Sequence, residues 1–149
     1  MISIKQALSA EDIAECFRIR VEVFVSEKGV PEAEEGDAYD AHALHFVAWR
    51  EGEAVGTARV VLIEAGRVGK IGRVAVDKTQ RGLGVGQALI TAAEAAARKV
   101  ERYQLDAQVD AMGFYAGLGY VAEGEPFLDA GIWHHRMIKP TAHPGTPTP

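Results

Sequence analysis

Short apolar stretches alternate with polar and glycine-containing segments along most of this 149-residue chain. Seven of these stretches have the length and the bounding turns of β-strands. They are residues 2–8, 43–50, 54–63, 71–77, 102–108, 120–125 and 131–139. The stretch 54–63 is apolar on both faces, so we expect it to lie in the centre of a sheet.

A helical pattern follows the first predicted strand. Ser9 is placed to cap this helix, with Asp12 three residues later. Gly29 and Pro31 are placed to end it. The residues that share its apolar face are Ile13, Cys16, Phe17, Val21 and Phe24.

Two more helices are predicted further along the chain. Residues 85–100 have one apolar side, made of Val85, Leu89, Ala92, Ala96 and Val100. The segment 110–119 predicts a short helix that is capped by Asp110 and ended by Gly119.

The predicted order of elements is therefore β, α, β-β-β, α, β, α, β-β. Three successive strands in the middle exclude a simple doubly wound parallel sheet, so a mixed α/β (α+β) sheet with helices on both faces fits better. We predict one domain over residues 1–139 and a disordered, Pro- and Thr-rich tail over 140–149.

Composition removes several classes of function. A net charge of −5 disfavours a broad nucleic-acid interface, so no nucleic-acid partner is expected. The single cysteine, Cys16, excludes a disulfide within the chain and a cysteine-rich metal site. His134 and His135 are adjacent on a predicted strand and point to opposite faces, so no metal site is expected there. We find no leader-like or membrane-spanning apolar run, and we expect a cytoplasmic protein without a membrane partner.

Residues 80–89, "QRGLGVGQAL", place three glycines between a predicted strand and a predicted helix. Gln87 stands where a P-loop would need lysine or a Rossmann motif would need glycine, so neither motif is present. The unpaired amides of a helix start, with Arg81 beside them, would suit a pyrophosphate. On spacing alone, a plain glycine-rich connection between a strand and a helix is equally possible.

The surrounding sequence resembles a known family. "RVAVDKTQRGLGVGQAL" and "FYAGLGY" are similar to the signature segments of the GNAT superfamily of N-acetyltransferases. "RVEVFVSEKGVPEAEEGDAYDAHALHFVA" and "FLDAGIWHHRMIK" resemble its ElaA/YjcF-like branch. The resemblance implies an acyl-CoA N-acyltransferase fold, with a mixed, mostly antiparallel sheet of about six to seven strands flanked by helices.

The resemblance also implies acetyl-CoA as co-substrate, with no metal, and a direct attack by a primary amine. Strand 71–77 would separate from strand 102–108 and leave a slot for the pantetheine arm. The amide of Val76 would polarise the thioester carbonyl, and Tyr115 would be the general acid. The implied cofactor-binding residues are Val74, Ala75, Val76, Arg81, Gly82, Leu83, Gly84, Val85 and Gly86. The asparagine that many members carry before the last helix is missing here, where Gln108 and Asp110 stand.

The acceptor side is less determined by the sequence. Residues 27–40 carry six carboxylates, which favour a small cationic amine or a lysine-bearing acceptor. A water chain or one side chain could be the general base. The candidate side chains are Glu27, Asp40, His42, His45 and His134.

Two other functions stay open from the sequence: a non-catalytic acyl-CoA-binding or regulatory module on the same fold, and a domain whose acidic segment docks a basic protein. A homodimer is also possible.

Overall fold

One eight-stranded sheet organises the structure, a computed structural model that describes residues 1–141. The strands are β1 (Ile2–Gln6), β2 (Leu44–Arg50), β3 (Glu53–Ile63), β4 (Val68–Val76), β5 (Arg102–Gln108), β6 (Val121–Ala122), β7 (Phe127–Asp129) and β8 (Ile132–Pro140). Their spatial order is β1-β2-β3-β4-β5-β8-β6, and β7 also pairs with β8. Only β4 and β5 pair in parallel, so the sheet is mixed and mostly antiparallel, as predicted.

The α-helices are α1 (Ala10–Arg20), α2 (Glu32–Glu35), α3 (Val85–Ala96) and α4 (Met112–Gly117). A π-helical segment, Val21–Glu27, continues α1, and shorter 3-10 turns lie at Ala38–Ala41, Lys78–Gln80 and Val109–Ala111. The prediction missed α2 inside the acidic segment and missed β7, because each has only three or four residues and neither shows a periodic pattern. No helix in residues 1–141 has the length and apolar character needed to cross a bilayer.

The cap predicted for α1 is confirmed. The Ser9 hydroxyl accepts a hydrogen bond from the Asp12 amide at 3.0 Å. The cap predicted for the last helix is wrong in detail: Asp110 lies in the preceding 3-10 turn, and α4 has no side-chain cap. Gly119 does follow that helix with φ of +99°, the left-handed conformation typical of a helix end.

Helices cover both faces of the sheet. On one face α3 buries Val85, Leu89, Ile90 and Ala93 against β2, β3 and β4. Gly56 of β3 allows this close approach, because a Cβ atom there would lie 2.8 Å from Val85 Cγ1. On the other face α1 packs against β3, as predicted for a strand buried on both sides.

The course of β4 creates the opening in which the site lies. Thr57 pairs with Ala75 and Arg59 pairs with Gly72, so Arg73 and the residue after it oppose a single residue of β3. This β-bulge puts Arg73 at φ of +49° and bends the strand. Pairing with β5 ends at Lys70–Gln104. The predicted separation of the two strands is therefore confirmed.

The chain stays ordered slightly past the predicted domain end. Pro140 is still part of β8 and pairs with Arg102, and the Thr141 hydroxyl donates to the Val100 carbonyl at 2.9 Å. The disordered tail predicted from residue 140 is therefore wrong for these two residues. The rest of that predicted tail, 142–149, lies outside the described residues.

Candidate active site

A cavity of about 820 Å³ lies where β4 and β5 separate. It extends from the loop before α3 to the carboxyl end of β5 and the turn between β7 and β8. All of the predicted cofactor residues except Leu83 line it: Val74, Ala75, Val76, Arg81, Gly82, Gly84, Val85 and Gly86. Leu83 instead points outward and is 54% exposed.

The glycine-rich loop presents a run of unpaired amides. Gly82 and Gly84 have φ of +79° and +87°, and Gly84 is the N-cap of α3. The first hydrogen bond of the helix runs from Ala88 to Gly84, and the backbone N–H groups from Gly82 to Gln87 form none within residues 1–141. A Cβ atom at Gly82 or Gly84 would meet no atom within 4 Å, so the space beside these amides is open. This is the arrangement that binds anions at a helix N-terminus.

Arg81 is held in place by an ion pair. Its Nε donates to the Val76 carbonyl at 3.0 Å, and its two terminal nitrogens donate to the Glu27 carboxylate at 2.6 Å each. The hydrogen bond from Arg81 lowers the pKa of Glu27. Glu27 is therefore a poor proton acceptor, and it is not among the residues that line the cavity.

Tyr115 lines the cavity from α4. Its ring lies edge-on to Phe114 and Tyr120, with centroid distances of 5.0 and 6.1 Å. Burial raises its pKa to about 12, and its hydroxyl forms no hydrogen bond within the described part of the chain. The phenol is thus protonated at neutral pH and has a proton to donate into the cavity.

Besides Glu27, two more of the predicted acceptor-side residues lie outside the cavity. Burial would raise the pKa of Asp40, but hydrogen bonds from Arg20 and Arg59 outweigh it and hold that pKa well below its usual range. His45 is buried, with Nε2 3.0 Å from the Asp40 carbonyl oxygen and its ring 5.7 Å from that of Phe17. Neither residue lines the cavity.

His134 does line the cavity, whereas the exposed His42 does not. The Nδ1 atom of His134 lies 2.8 Å from the Ile132 carbonyl oxygen. A carbonyl can only accept, so Nδ1 carries the proton in the neutral ring and Nε2 keeps a lone pair. The ring stacks on Phe127 at 5.9 Å. Of the five candidate bases, His134 alone faces the cavity with an available acceptor.

Asp106 and Arg73 also line the cavity, and sequence reasoning missed both. Asp106 Oδ1 is buried without a hydrogen bond, 3.6 Å from Arg136 Nε, and Oδ2 lies 3.7 Å from Lys70 Nζ. Strand alternation in 102–108 could have placed Asp106 opposite the α3 core face. Strand alternation could not have placed Arg73, because the β-bulge changes the face of the sheet on which its side chain lies.

The acidic segment does not present six free carboxylates. Glu27 pairs with Arg81, Glu35 pairs with Arg20, and Asp37 and Asp40 both pair with Arg59. Only Glu32 and Glu34 have no such partner in residues 1–141. Most of the negative charge counted in the sequence is neutralised inside the protein.

No group of three or more His, Cys, Asp or Glu side chains in residues 1–141 is arranged to hold a metal ion. His134 and His135 face different pockets, because they are neighbours on one strand.

Comparison with known proteins gives a consistent result. Residues 4–140 match the family model described as an acetyltransferase (GNAT) domain. A Bacillus subtilis protein named uncharacterized N-acetyltransferase YjcF is 37% identical over 136 residues, which cover 89% of this chain and 96% of that protein. The crystal structure of Escherichia coli ElaA superposes with a TM-score of 0.81 at 26% identity, covering 93% of this chain and 99% of that one. An acyl-CoA N-acyltransferase from Pseudomonas aeruginosa gives 0.79 at 28% identity, with the same coverage. This chain therefore belongs to the GNAT family of acetyltransferases.

Proposed function

We propose that the protein is an acetyl-CoA-dependent N-acetyltransferase that acetylates a primary amine by direct attack. The observation that carries this proposal is the run of unpaired amides from Gly82 to Gln87 at the mouth of a cavity that also contains the Tyr115 phenol. An anion site beside a deep slot suits a long ligand with a pyrophosphate at one end and a reactive thioester at the other.

The cofactor would be bound mainly by backbone groups. The pyrophosphate would accept hydrogen bonds from the amides of the glycine-rich loop. The positive end of the α3 dipole would also stabilise its negative charge. The pantetheine arm would follow Val74 and Val76 along the side of β4 that faces β5, where the pairing of these two strands in residues 1–141 ends at Lys70. The residues present fit this ligand, because Gly82 and Gly84 leave open the space that side chains would fill.

The reaction removes two protons from the acceptor ammonium and supplies one proton to the CoA sulfur. The acceptor ammonium must first lose a proton, and His134 Nε2 is placed to take it, directly or through water. The amine nitrogen then attacks the thioester carbon, and the oxyanion that forms would be stabilised by the Val76 amide. The carbon–sulfur bond breaks and the departing thiolate takes the proton of Tyr115. The second proton of the nitrogen then returns to the tyrosinate, directly or through water.

The chemical class of the acceptor is inferred from the amine chemistry of the reaction rather than from the charge of residues 27–40. Because four of the six carboxylates in this segment are already ion-paired, there is little reason to expect a polycation such as a polyamine. We propose a small molecule with one primary amine, with a lysine side chain as the protein-borne equivalent. The cytoplasmic location remains a prediction from the sequence.

A non-catalytic acyl-CoA-binding module would use the same amides and the same slot. Such a module gives no reason for the partly buried Tyr115 phenol, which has no hydrogen-bond partner in residues 1–141, to face the cavity. Tyr115 therefore favours the enzyme over the binding module.

Gly84→Val tests the cofactor site. Valine at φ of +87° is strained, so the loop would leave its present conformation and withdraw one or two amides from the pyrophosphate. Charge-assisted hydrogen bonds of this kind each contribute about 1.5–3 kcal/mol. We expect the Kd for acetyl-CoA to rise at least about tenfold, measured by isothermal titration calorimetry.

Gly66→Val is the matched control. Gly66 has φ of +83° and no atom within 4 Å of its Cβ position, but it lies in the turn between β3 and β4, away from the cavity. Gly66→Val should lower the free energy of unfolding by a similar amount, about 1–3 kcal/mol, and leave the affinity for acetyl-CoA unchanged. Equal affinities for the two variants would mean that the glycine-rich loop is only a connection.

A further inference from the structure

Arg73 occupies an unusual position in the wall of the cavity. It sits in the β-bulge of β4, on the face of the sheet that is opposite α3, and reaches the acidic segment. Its Nε donates to the Glu35 carbonyl at 3.0 Å and its Nη2 to the Asp37 carboxylate at 3.2 Å. Its third nitrogen, Nη1, forms no hydrogen bond within residues 1–141 and is not sealed from the cavity.

The other two arginines of this cluster bind the same carboxylates but do not line the cavity. Arg20 donates from all three nitrogens to Glu35 and Asp40, at 2.7–3.2 Å. Arg59 donates from both terminal nitrogens to Asp37 and Asp40, at 2.6–2.8 Å. Three carboxylates thus face three guanidinium groups, and of the three arginines Arg73 is the one that lines the cavity.

Arg73 shares both of its carboxylate partners with the other arginines: its Nε lies 3.3 Å from Glu35 Oε2 and its Nη2 lies 3.2 Å from Asp37 Oδ2. Burial, together with the nearby positive charges of Arg59 and Arg20, lowers the pKa of Arg73. A further anion beside Arg73 would add to this shared negative charge, and a guanidinium with a free nitrogen fits a carboxylate in particular.

The same cavity offers the complementary groups for an ammonium. The Asp106 side chain lines the cavity and is 24% exposed, with Oδ1 shielded beside Arg136 and Oδ2 3.7 Å from Lys70 Nζ. His134 Nε2 keeps a lone pair. Asp106 and His134 lie on β5 and β8, across the slot from β4. One wall can therefore bind a negative group and the other a positive one.

We propose that the acceptor is a small amino acid, with its carboxylate on Arg73 and its amine facing Asp106 and His134. This inference rests on the proposed acetyltransferase function and narrows its substrate to zwitterions. Arg73 is then the residue that selects acids over neutral or purely cationic amines.

The test compares each of the common L-amino acids with its own carboxamide. The amide keeps the shape and the amine but removes the negative charge. CoA release gives kcat and KM for each pair with the wild-type protein and with Arg73→Gln. We expect kcat/KM of the wild type to favour the acid about 10- to 100-fold for the best acceptor, mainly through KM. Arg73→Gln should abolish this preference and leave the KM for acetyl-CoA unchanged, and Arg73→Lys should restore part of it.

Arg59→Gln is the control, because Arg59 belongs to the same cluster but does not line the cavity. It should lower the melting temperature and keep the preference for acids. If Arg73→Gln fails to fold, the ratio of acid to amide with the wild type still decides.

A wild-type ratio near one, or equal losses for acid and amide in Arg73→Gln, would overturn the amino-acid proposal alone. Binding of acetyl-CoA without turnover of any amine or amino acid would overturn the acetyltransferase function and this proposal together.

Discussion

Tyr115→Phe is expected to lower kcat by about 10²- to 10⁴-fold while acetyl-CoA binds as tightly as before. This is the range that a positioned general acid contributes. The substitution removes only the hydroxyl, which has no hydrogen-bond partner in residues 1–141, so neither packing nor a hydrogen-bond network is disturbed. Single-turnover rates of acetyl transfer, together with calorimetric binding of acetyl-CoA, would separate the two effects.

The pH dependence gives a second readout. Because burial raises the pKa of Tyr115 to about 12, the phenol donates its proton only below that pH. The rate should therefore show no loss from Tyr115 as pH rises through 10, where an exposed tyrosine ionises. A fall in kcat centred near pH 10 that disappears in Tyr115→Phe would contradict the buried environment.

Tyr120→Phe is the control for Tyr115→Phe. Tyr120 is the aromatic neighbour, it does not line the cavity, and its hydroxyl donates to Glu94 at 2.8 Å. This variant should lose stability, because Glu94 loses a donor, and should keep most of kcat. A wild-type kcat in Tyr115→Phe would mean that the departing CoA thiolate is protonated without Tyr115.

The parts of the site that could be predicted from the sequence are those built from local signals. The glycine-rich loop, the end of β4 and Tyr115 each lie in a short segment whose conformation depends on its own residues and neighbours. Their shared position on one cavity follows from the strand order, which the pattern of elements and the family resemblance together supplied. The exception, Leu83, shows that a loop motif does not determine which side chains point inward.

The acceptor side could not be predicted because it depends on tertiary contacts. The carboxylates of residues 27–40 look like a free acidic surface in the sequence. Their partners are Arg20, Arg59, Arg73 and Arg81, which lie up to 54 residues away. Charge counted along a segment therefore gave the wrong local field. Asp40 belongs to this buried cluster and His45 lies beside it, with Nε2 3.0 Å from the Asp40 carbonyl oxygen, so neither lines the cavity.

We expect the largest loss of stability from a substitution in the buried ion-pair cluster around Arg20. Arg20 is 1% exposed and bridges Glu35, which is 5% exposed, and Asp40. Arg20→Met keeps an unbranched side chain of similar length but leaves buried carboxylates short of a partner. Such a loss costs about 3–5 kcal/mol. We expect the free energy of unfolding in urea at pH 7 to fall by that amount.

Arg18→Met is the matched control. Arg18 also forms ion pairs, with Glu15 and Glu22, but its side chain is 42% exposed. Exposed pairs of this kind contribute about 0–1 kcal/mol. A loss in Arg20→Met as small as that in Arg18→Met would show that the cluster is solvated in solution.

The stability of the wild type and of Arg20→Met should also depend differently on pH, because the two proteins leave their carboxylates in different environments. In the wild type, the folded-state pKa of Asp40 lies below its unfolded value, so its stabilising effect is present above about pH 4 and is lost as pH falls further. In Arg20→Met, a carboxylate left buried without its cation is instead favoured in its protonated form, so acid relieves part of the cost. The stability difference between the wild type and Arg20→Met should therefore be largest near pH 7 and shrink towards pH 4. A difference that stays constant over this range would assign the cost to lost packing of the Arg20 side chain, which lies 4.5 Å from the Phe17 ring, rather than to charge.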